Sequence, residues 1–387
     1  MTSARWFAVT ALLTGSLAGC GSGDDEGGAT GERPAATTAQ SAPPSSSPET
    51  TPPSAADPSP VDAPDRGEVR LVAKDLEVPW DVDFLPNGDA LVTERDTRKL
   101  IRIPADGGPL ETVMTVPGVV PDGEGGLLGL AVSPQYAQDG RVFVYFTAAG
   151  DNRVARIDMD RERVTPILTG LQKASNHNGG GLAFGPDGKL YVAVGDAAQP
   201  DLAQDQQSLN GKILRIDTDG SAAEGNPFPG SRIWSLGHRN VQGLAWDSAD
   251  RLWATEFGQN TVDEVNLIRR GRNYGWPVVE GRGDGQNGQY TNPSVTWSPT
   301  SESSPSGAGI VGDELYVGAL AGRRVWRVKL EETTAGDPES LLDDQLGRIR
   351  GVTRSPRGTI WITTSNRDGR GDPADIDDRI LELGVDE

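Results

Sequence analysis

An all-β chain, closed into a six-bladed β-propeller of four-stranded antiparallel blades, is what this sequence predicts. One short phrase returns six times: a small or apolar lead-in, a Pro or Asp turn, Gly, then an alternating apolar strand. It reads VDFLPNGDALVTER (82–95), LAVSPQYAQDGRVFVYFT (130–147), LAFGPDGKLYVAVGD (182–196), LAWDSADRLWATEFG (244–258), GIVGDELYVGAL (309–320) and VTRSPRGTIWITTSN (352–366). Self-similarity of this kind marks a repeat architecture. Runs such as Leu190-Tyr191-Val192-Ala193-Val194 and Thr359-Ile360-Trp361-Ile362-Thr363 are β-branched and aromatic, bounded by Gly, Pro and Asp, which is strand composition with turn punctuation. No long amphipathic helix pattern interrupts them. Copies roughly forty to sixty-five residues apart leave room for one blade each. An open β-sandwich would not need six similar strand pairs.

Residues 1–20 lie outside that fold. Arg5 is a short basic start, Trp6 to Leu17 is apolar, and Leu17-Ala18-Gly19-Cys20 ends the stretch. The run is too short to span a bilayer as a helix and reads as a secretory signal. LAGC resembles the lipobox of bacterial lipoproteins, in which the Cys is lipidated and becomes the mature N-terminus. Cys20 is the only cysteine, so no intramolecular disulfide can form. The resemblance implies a lipid anchor on Cys20 and a place in the cell envelope, outside the cytoplasm. Residues 21–66 are mostly Gly, Ser, Thr, Pro, Ala and Asp with almost no large apolar side chains. Such a segment cannot bury enough surface to offset its ordering entropy, so a disordered linker is expected. The propeller is expected over 67–387.

The net charge of −20 argues against nucleic acid as a partner, since no basic patch is available to neutralise phosphates. An anionic ligand would need a local pocket of arginines or a metal ion. Nothing in the sequence demands a dimer, and a monomer is expected. In a propeller the loops feeding the inner strands collect on one face, the expected site.

Four stretches there could do chemistry. Ser175-Asn176-His177-Asn178-Gly179-Gly180-Gly181 sets a histidine among glycines, where another group can approach the backbone closely. Asn176 and Asn178 are expected to orient the ring. Gly237-His238-Arg239-Asn240 opens the next blade, with Arg a rigid fork for an anion or developing oxyanion and Asn a neutral donor and acceptor. Glu256-Phe257-Gly258-Gln259-Asn260-Thr261-Val262-Asp263-Glu264, followed by Asn273-Tyr274-Gly275-Trp276-Pro277, offers hard oxygen donors that suit Ca²⁺ better than zinc. Arg348-Ile349-Arg350 puts two guanidinium groups on one side of a strand, a clamp for a carboxylate or phosphate. Each has a plainer reading: a surface-loop histidine, an arginine pairing with a neighbouring blade, a solvated acidic loop, a rim salt-bridge pair.

Together these stretches resemble the soluble quinoprotein glucose and sorbosone dehydrogenases, most closely the aldose sugar dehydrogenase branch. The resemblance runs from about Val78 to Leu383, on VPWDVDFLPNGDALVTER, DGEGGLLGLAVSP, NHNGGGLAFGPDGKLYVAVGD, GHRNVQGLAW, DEVNLIRRGRNYGWP and SNRDGRG…DDRIL. It implies a six-bladed propeller binding pyrroloquinoline quinone (PQQ) and Ca²⁺, oxidising an aldose at C1 and passing electrons to an external acceptor. It implies His177 as catalytic base and Arg239 near the reactive carbonyl of the quinone. It implies Asn240, Arg348 and Arg350 as further cofactor contacts, with Glu124 beside the site. Gly258 and Gln259 match the pair whose carbonyls hold the active-site Ca²⁺, and Glu264 and Tyr274 a further metal-binding pair. This sequence departs from the family in four places. A cofactor-binding lysine falls at Ala321, with Arg323 and Arg324 close by; Gln259 stands for a proline, Asn176 for an aspartate and Glu124 for a glutamine. A lost cation and a gained anion are expected to weaken binding of a tricarboxylate quinone. Two other readings stay open: a Ca²⁺-dependent lactone hydrolase on the same fold, and a non-catalytic lipoprotein using the propeller face as a binding platform.

Overall fold

The computed structural model describes residues 63–283 and 288–386. The signal, Cys20 and the linker up to residue 62 lie outside the described residues. The six expected blades are present, each a meander of antiparallel strands. Blade 1 runs through Pro79–Phe84, Ala90–Glu94, Lys99–Ile103 and Glu111–Thr115. Blade 2 runs through Leu127–Val132, Arg141–Thr147, Asn152–Asp158 and Arg163–Leu171. Blade 3 uses Gly179–Phe184, Leu190–Val194, Lys212–Ile216 and Ile233–Leu236, and blade 4 Val241–Trp246, Leu252–Glu256, Asp263–Ile268 and Val295–Trp297. Blade 5 is Pro305–Val311, Glu314–Ala319 and Arg324–Glu331, edged by Glu339–Leu341 beyond a small hairpin strand, Thr334–Ala335. Blade 6 takes Ile349–Arg354, Ile360–Thr364 and Ile380–Leu383 from the far end of the chain and its outer strand, Val69–Ala73, from the near end. A parallel bridge between Arg66 and Gly384 continues that closure.

The alternation read from the sequence decides the packing. Side chains on opposite faces of a strand enter different interblade gaps. Val142 and Val144 pack toward blade 1 with Leu91 and Leu100, while Phe143 and Tyr145 pack toward blade 3 with Leu190 and Val192. Six such apolar clusters fill the six gaps, so no blade face is left bare. Burying one of these Leu or Val side chains is worth about 1.5–3 kcal/mol.

Hydroxyls then tie each blade to the next. Thr93 donates to the Leu128 carbonyl at 2.6 Å and Tyr145 to the Asn178 carbonyl at 2.8 Å. Thr255 donates to the Ser306 carbonyl, and Thr363 to the Pro79 carbonyl at 3.3 Å, across the closure. All six inner strands carry a register shift near their start, and such bulges re-aim side chains beside functional sites.

The inner strands surround an axial cavity of about 300 Å³. Trp80, Gln242 and Arg350 stand where the strands begin, and Asp83, Phe184, Trp246 and Arg354 where they end. Asp81 and Asp83 line it half-buried, accepting the Leu130 N–H at 3.0 Å and the Val132 N–H at 2.7 Å. Burial pushes Asp81 up to about 7 and Asp83 up to about 6, against those N–H donors.

Candidate active site

The loops that lead into the inner strands share one face with the ends of the second strands, and the candidate residues meet there. His177 sits just before the inner strand of blade 3 with φ +56, the left-handed region that a non-glycine residue rarely adopts. The neighbouring strand end makes room for it: a Cβ on Gly195 would fall 1.9 Å from the His177 carbonyl. The turned backbone presents the ring Nδ1 to Asp196 Oδ1 at 2.8 Å, with the imidazole 13% exposed.

Asp196 is fully buried and also accepts from the Ala198 N–H at 2.8 Å and the Trp276 indole N–H at 2.9 Å. An acceptor so supplied requires the proton of His177 on Nδ1, which leaves Nε2 as a lone-pair acceptor. The expectation that Asn176 and Asn178 orient the ring is corrected here. Asn178 spends its amide on the loop, donating to the Ala174 carbonyl and accepting from Asn152. Asp196 holds the imidazole instead.

Arg239 continues the chain of contacts. Its guanidinium lies 5.6 Å from the centre of the Trp276 ring and donates through Nη1 to the Phe257 carbonyl at 3.2 Å. Burial lowers its pKa from the ordinary arginine value. Asn240 is buried and accepts the Gly179 N–H at 3.0 Å, two residues from His177. Arg350 reaches across the axis to donate to Gln242 at 2.5 Å and covers Trp80. Burial and the nearby charges of Arg95 and Arg348 push it down to about 9. Arg348 grips Asp368 with two nitrogens, at 3.0 and 2.9 Å.

Glu124 accepts the His177 backbone N–H at 3.3 Å and pairs with Arg370 at 2.9 Å, so its charge is met by a cation from blade 6. Arg323 and Arg324 face Asp344 and Asp343. The cation lost at Ala321 is therefore not replaced by them; buried Arg95 adds its charge near Arg350 while pairing with Asp96 at 2.7 Å.

Gly258 and Gln259 lie at the end of the second strand of blade 4. The Gly258 N–H is held by Asp263 at 2.9 Å and the Gln259 N–H by Glu280 at 2.8 Å. Neither carbonyl takes part in a hydrogen bond among the described residues. Glu264 and Tyr274 stand one layer back. Glu264 accepts from Gly281 N–H and Asn266, and burial beside Glu256 pushes it up to about 8. The Tyr274 hydroxyl bridges the Leu267 carbonyl and the Arg269 N–H, and its ring stacks on His238 at 4.8 Å. Among the described residues no group of three or more His, Cys, Asp or Glu could hold a metal ion, so a hard cation would depend on carbonyl oxygens.

Arg95, Asp196 and Glu280 escaped the sequence reading, and Trp276 stood in a candidate stretch with no role given to it. The signal for Arg95 and Asp196 was in the repeat phase. Arg95 and Asp196 come within two residues of the ends of second strands, as Phe257 does in blade 4 and Asn366 in blade 6, and those ends all open onto this face.

Comparison with known proteins agrees with the geometry. The signature of the family described as Glucose / Sorbosone dehydrogenase matches residues 76–375. The PQQ-bound form of aldose sugar dehydrogenase from Streptomyces coelicolor is 47% identical, with a TM-score of 0.79 over 84% of this chain and 100% of that one. The aldose sugar dehydrogenase of Escherichia coli strain K12 is 30% identical over 349 residues, 79% of this chain and 92% of that one. Quinoprotein glucose dehydrogenase B of Acinetobacter calcoaceticus is 34% identical over 265 residues, 58% and 55% of the two chains. With its six blades, its polar face and a family signature over most of its folded length, the chain belongs to the glucose/sorbosone dehydrogenase family of oxidoreductases.

Proposed function

We propose that this chain oxidises aldose sugars at C1 to lactones, with PQQ and Ca²⁺ as cofactors and an external acceptor for the electrons. The observation that carries the reading is His177, with one ring nitrogen committed to buried Asp196 and the other left as a base on the face that collects the arginines. The PQQ-bound relative at 47% identity supports the choice of quinone.

The residues present fit such a group. The buried Nε–H groups of Arg239 and Arg350 have no acceptor, and buried donors are ordinarily satisfied. A ligand rich in carboxylate and carbonyl oxygens would satisfy them. Arg239, Asn240, Arg348 and Arg350 would hold the quinone, with Glu124 at its edge, and the carbonyls of Gly258 and Gln259 would hold Ca²⁺. Glu264 and Tyr274 do not fit a second cation, because the Glu264 carboxyl is taken up by Asn266 and Gly281 and the Tyr274 hydroxyl by Leu267 and Arg269. When bound, the quinone supplies the hydride acceptor.

The protein supplies position and proton handling. Nε2 of His177 takes the proton of the C1 hydroxyl, a contribution typically of about 10²–10⁴-fold. Asp196 holds the tautomer and stabilises the imidazolium that forms. Arg239 sets a positive charge where negative charge develops.

The test is a titration of PQQ into purified protein with Ca²⁺, followed by absorbance and by dye reduction across a panel of aldoses. Dye reduction that needs both PQQ and Ca²⁺ is expected. Hydrolysis of lactones with Ca²⁺ alone, or no spectral change on adding quinone, would overturn the reading. We also propose that Cys20 is lipidated and tethers the protein in the cell envelope, on the LAGC sequence. Labelled fatty acid should enter the wild type and not Cys20→Ala; an unlabelled wild type would refute the tether.

A further inference from the structure

The loop after the second strand of blade 4 is organised by two carboxylates. Asp263 Oδ1 accepts the N–H of Gly258 at 2.9 Å. Glu280 Oε1 accepts the next four in succession: Gln259 at 2.8 Å, Asn260 at 3.2 Å, Thr261 at 3.0 Å and Val262 at 3.3 Å. Those bonds hold the Glu280 carboxyl below its ordinary value against the opposing effect of burial. Consecutive N–H groups converging on one anion form a nest.

The consequence follows from peptide geometry. In a planar trans peptide the N–H and the C=O point in opposite directions. The N–H of Gln259 shares its peptide with the carbonyl of Gly258, and the N–H of Asn260 with that of Gln259. Drawing both N–H groups toward Glu280 turns both carbonyls away from it. The preceding peptide shows where that direction leads. Its N–H, on Gly258, is held by Asp263, and its carbonyl, on Phe257, receives Arg239 Nη1 at 3.2 Å. The Phe257 carbonyl, next before the two, thus faces the guanidinium that lies over Trp276.

The loop is also closed to any side chain at its first position. A Cβ on Gly258 would meet the Val262 carbonyl at 1.7 Å and Glu280 Oε1 at 2.8 Å. The turn is thus wound tightly around the carboxylate.

We propose that Glu280 is a positioning residue: by gathering the N–H groups of residues 259–262 it aims the carbonyls of Gly258 and Gln259 into the site and makes them a hard-cation site. This rests on the assignment of those carbonyls to Ca²⁺ above. Glu280 itself need not touch the cation.

Two measurements on the full chain separate the outcomes. Amide hydrogen exchange over residues 259–262, without cofactors, reads the nest. Calorimetric Ca²⁺ titration in the presence of PQQ reads the cation site without turnover. Glu280→Gln is expected to lose protection at these amides and to weaken Ca²⁺ at least tenfold, with the thermal midpoint of the propeller little changed. Glu280→Asp keeps the charge and shortens the reach, and is expected to weaken Ca²⁺ nearly as far. Unchanged protection in Glu280→Gln would overturn the proposal, as would lost protection with unchanged affinity. Wild-type affinity in Glu280→Asp would assign the effect to charge and also overturn it. If the wild type binds no Ca²⁺, the functional reading fails and the proposal with it, while the exchange result still shows whether Glu280 orders the loop.

Discussion

Two histidines occupy nearly the same place in successive blades, and they have opposite surroundings. His177 leads into blade 3 on a left-handed backbone, partly exposed, with one ring nitrogen on Asp196. His238 leads into blade 4 fully buried, with Nδ1 on Glu256 and Nε2 on Ser235, both at 2.8 Å, and its ring stacked on Tyr274. Each has a carboxylate from the end of the second strand of its own blade. The difference lies in the remaining nitrogen. On His238 it is satisfied, so the ring is a structural spacer under Arg239. On His177 it is left over, so the same side chain is open to the role of base that we propose for it. Sequence position brings a histidine to the face, and the count of its unmet bonds decides what it does there.

Removing each ring tests that contrast most severely. His177→Ala should lower kcat by about 10²–10⁴-fold while PQQ titration and thermal midpoint stay near wild type. Near-normal turnover would remove His177 from the chemistry. His238→Ala should do the reverse. It empties a buried site, leaves the Ser235 hydroxyl without its ring partner and takes one of three donors from buried Glu256, at a cost of about 3 kcal/mol, seen as a lower denaturant midpoint. A loss of kcat larger than the loss of stability would break the comparison.

Asp196→Asn sharpens it. An amide turned to donate to Nδ1 would favour the tautomer with its proton on Nε2, the wrong one for a base. A fall in kcat of about 10–100-fold is expected, with sugar KM little altered. A KM effect alone would make Asp196 a binding residue.

The smallest effect is expected in the axial cavity, where burial moves a proton against two backbone N–H donors. Asp81 is raised from an ordinary 3.8 to about 7 in the fold. Below pH 4 both folded and unfolded chains hold that proton, and its contribution is fully present. As pH rises toward 7 the unfolded chain releases it first, so stability falls by up to about 1.4 kcal/mol per pH unit. Asp81→Asn should flatten that slope in denaturant titrations between pH 4 and 7. An unchanged slope would place the titration elsewhere.

The fold was legible because each blade carries its instructions locally. Pro-Asn-Gly, Pro-Asp-Gly and Pro-Arg-Gly turns, with alternating strands behind them, need no distant partner to be read. Closure was not legible, because Val69–Ala73 reads as one more strand and only its pairing with Ile380–Leu383 shows that it completes blade 6. His177, Arg239 and Gly258 could be suspected from their place at blade ends. Their partners could not, since Trp276 reaches Asp196 across 80 positions and Arg370 reaches Glu124 across 246. Glu280 was hidden for a different reason: its task is to hold backbone N–H groups, and a side chain that grips main chain leaves no residue pattern in its partners.

The strand borrowed by blade 6 makes the clasp of the ring movable. The folded region's two ends meet where Arg66 bridges Gly384, so they can be joined and the chain reopened elsewhere. A cut at exposed Gly107, ahead of Glu111–Thr115, would give blade 1 the borrowed outer strand and leave each loop of the polar face uncut. Such a circular permutant should close, because a ring of equivalent sheets has no obligatory first blade.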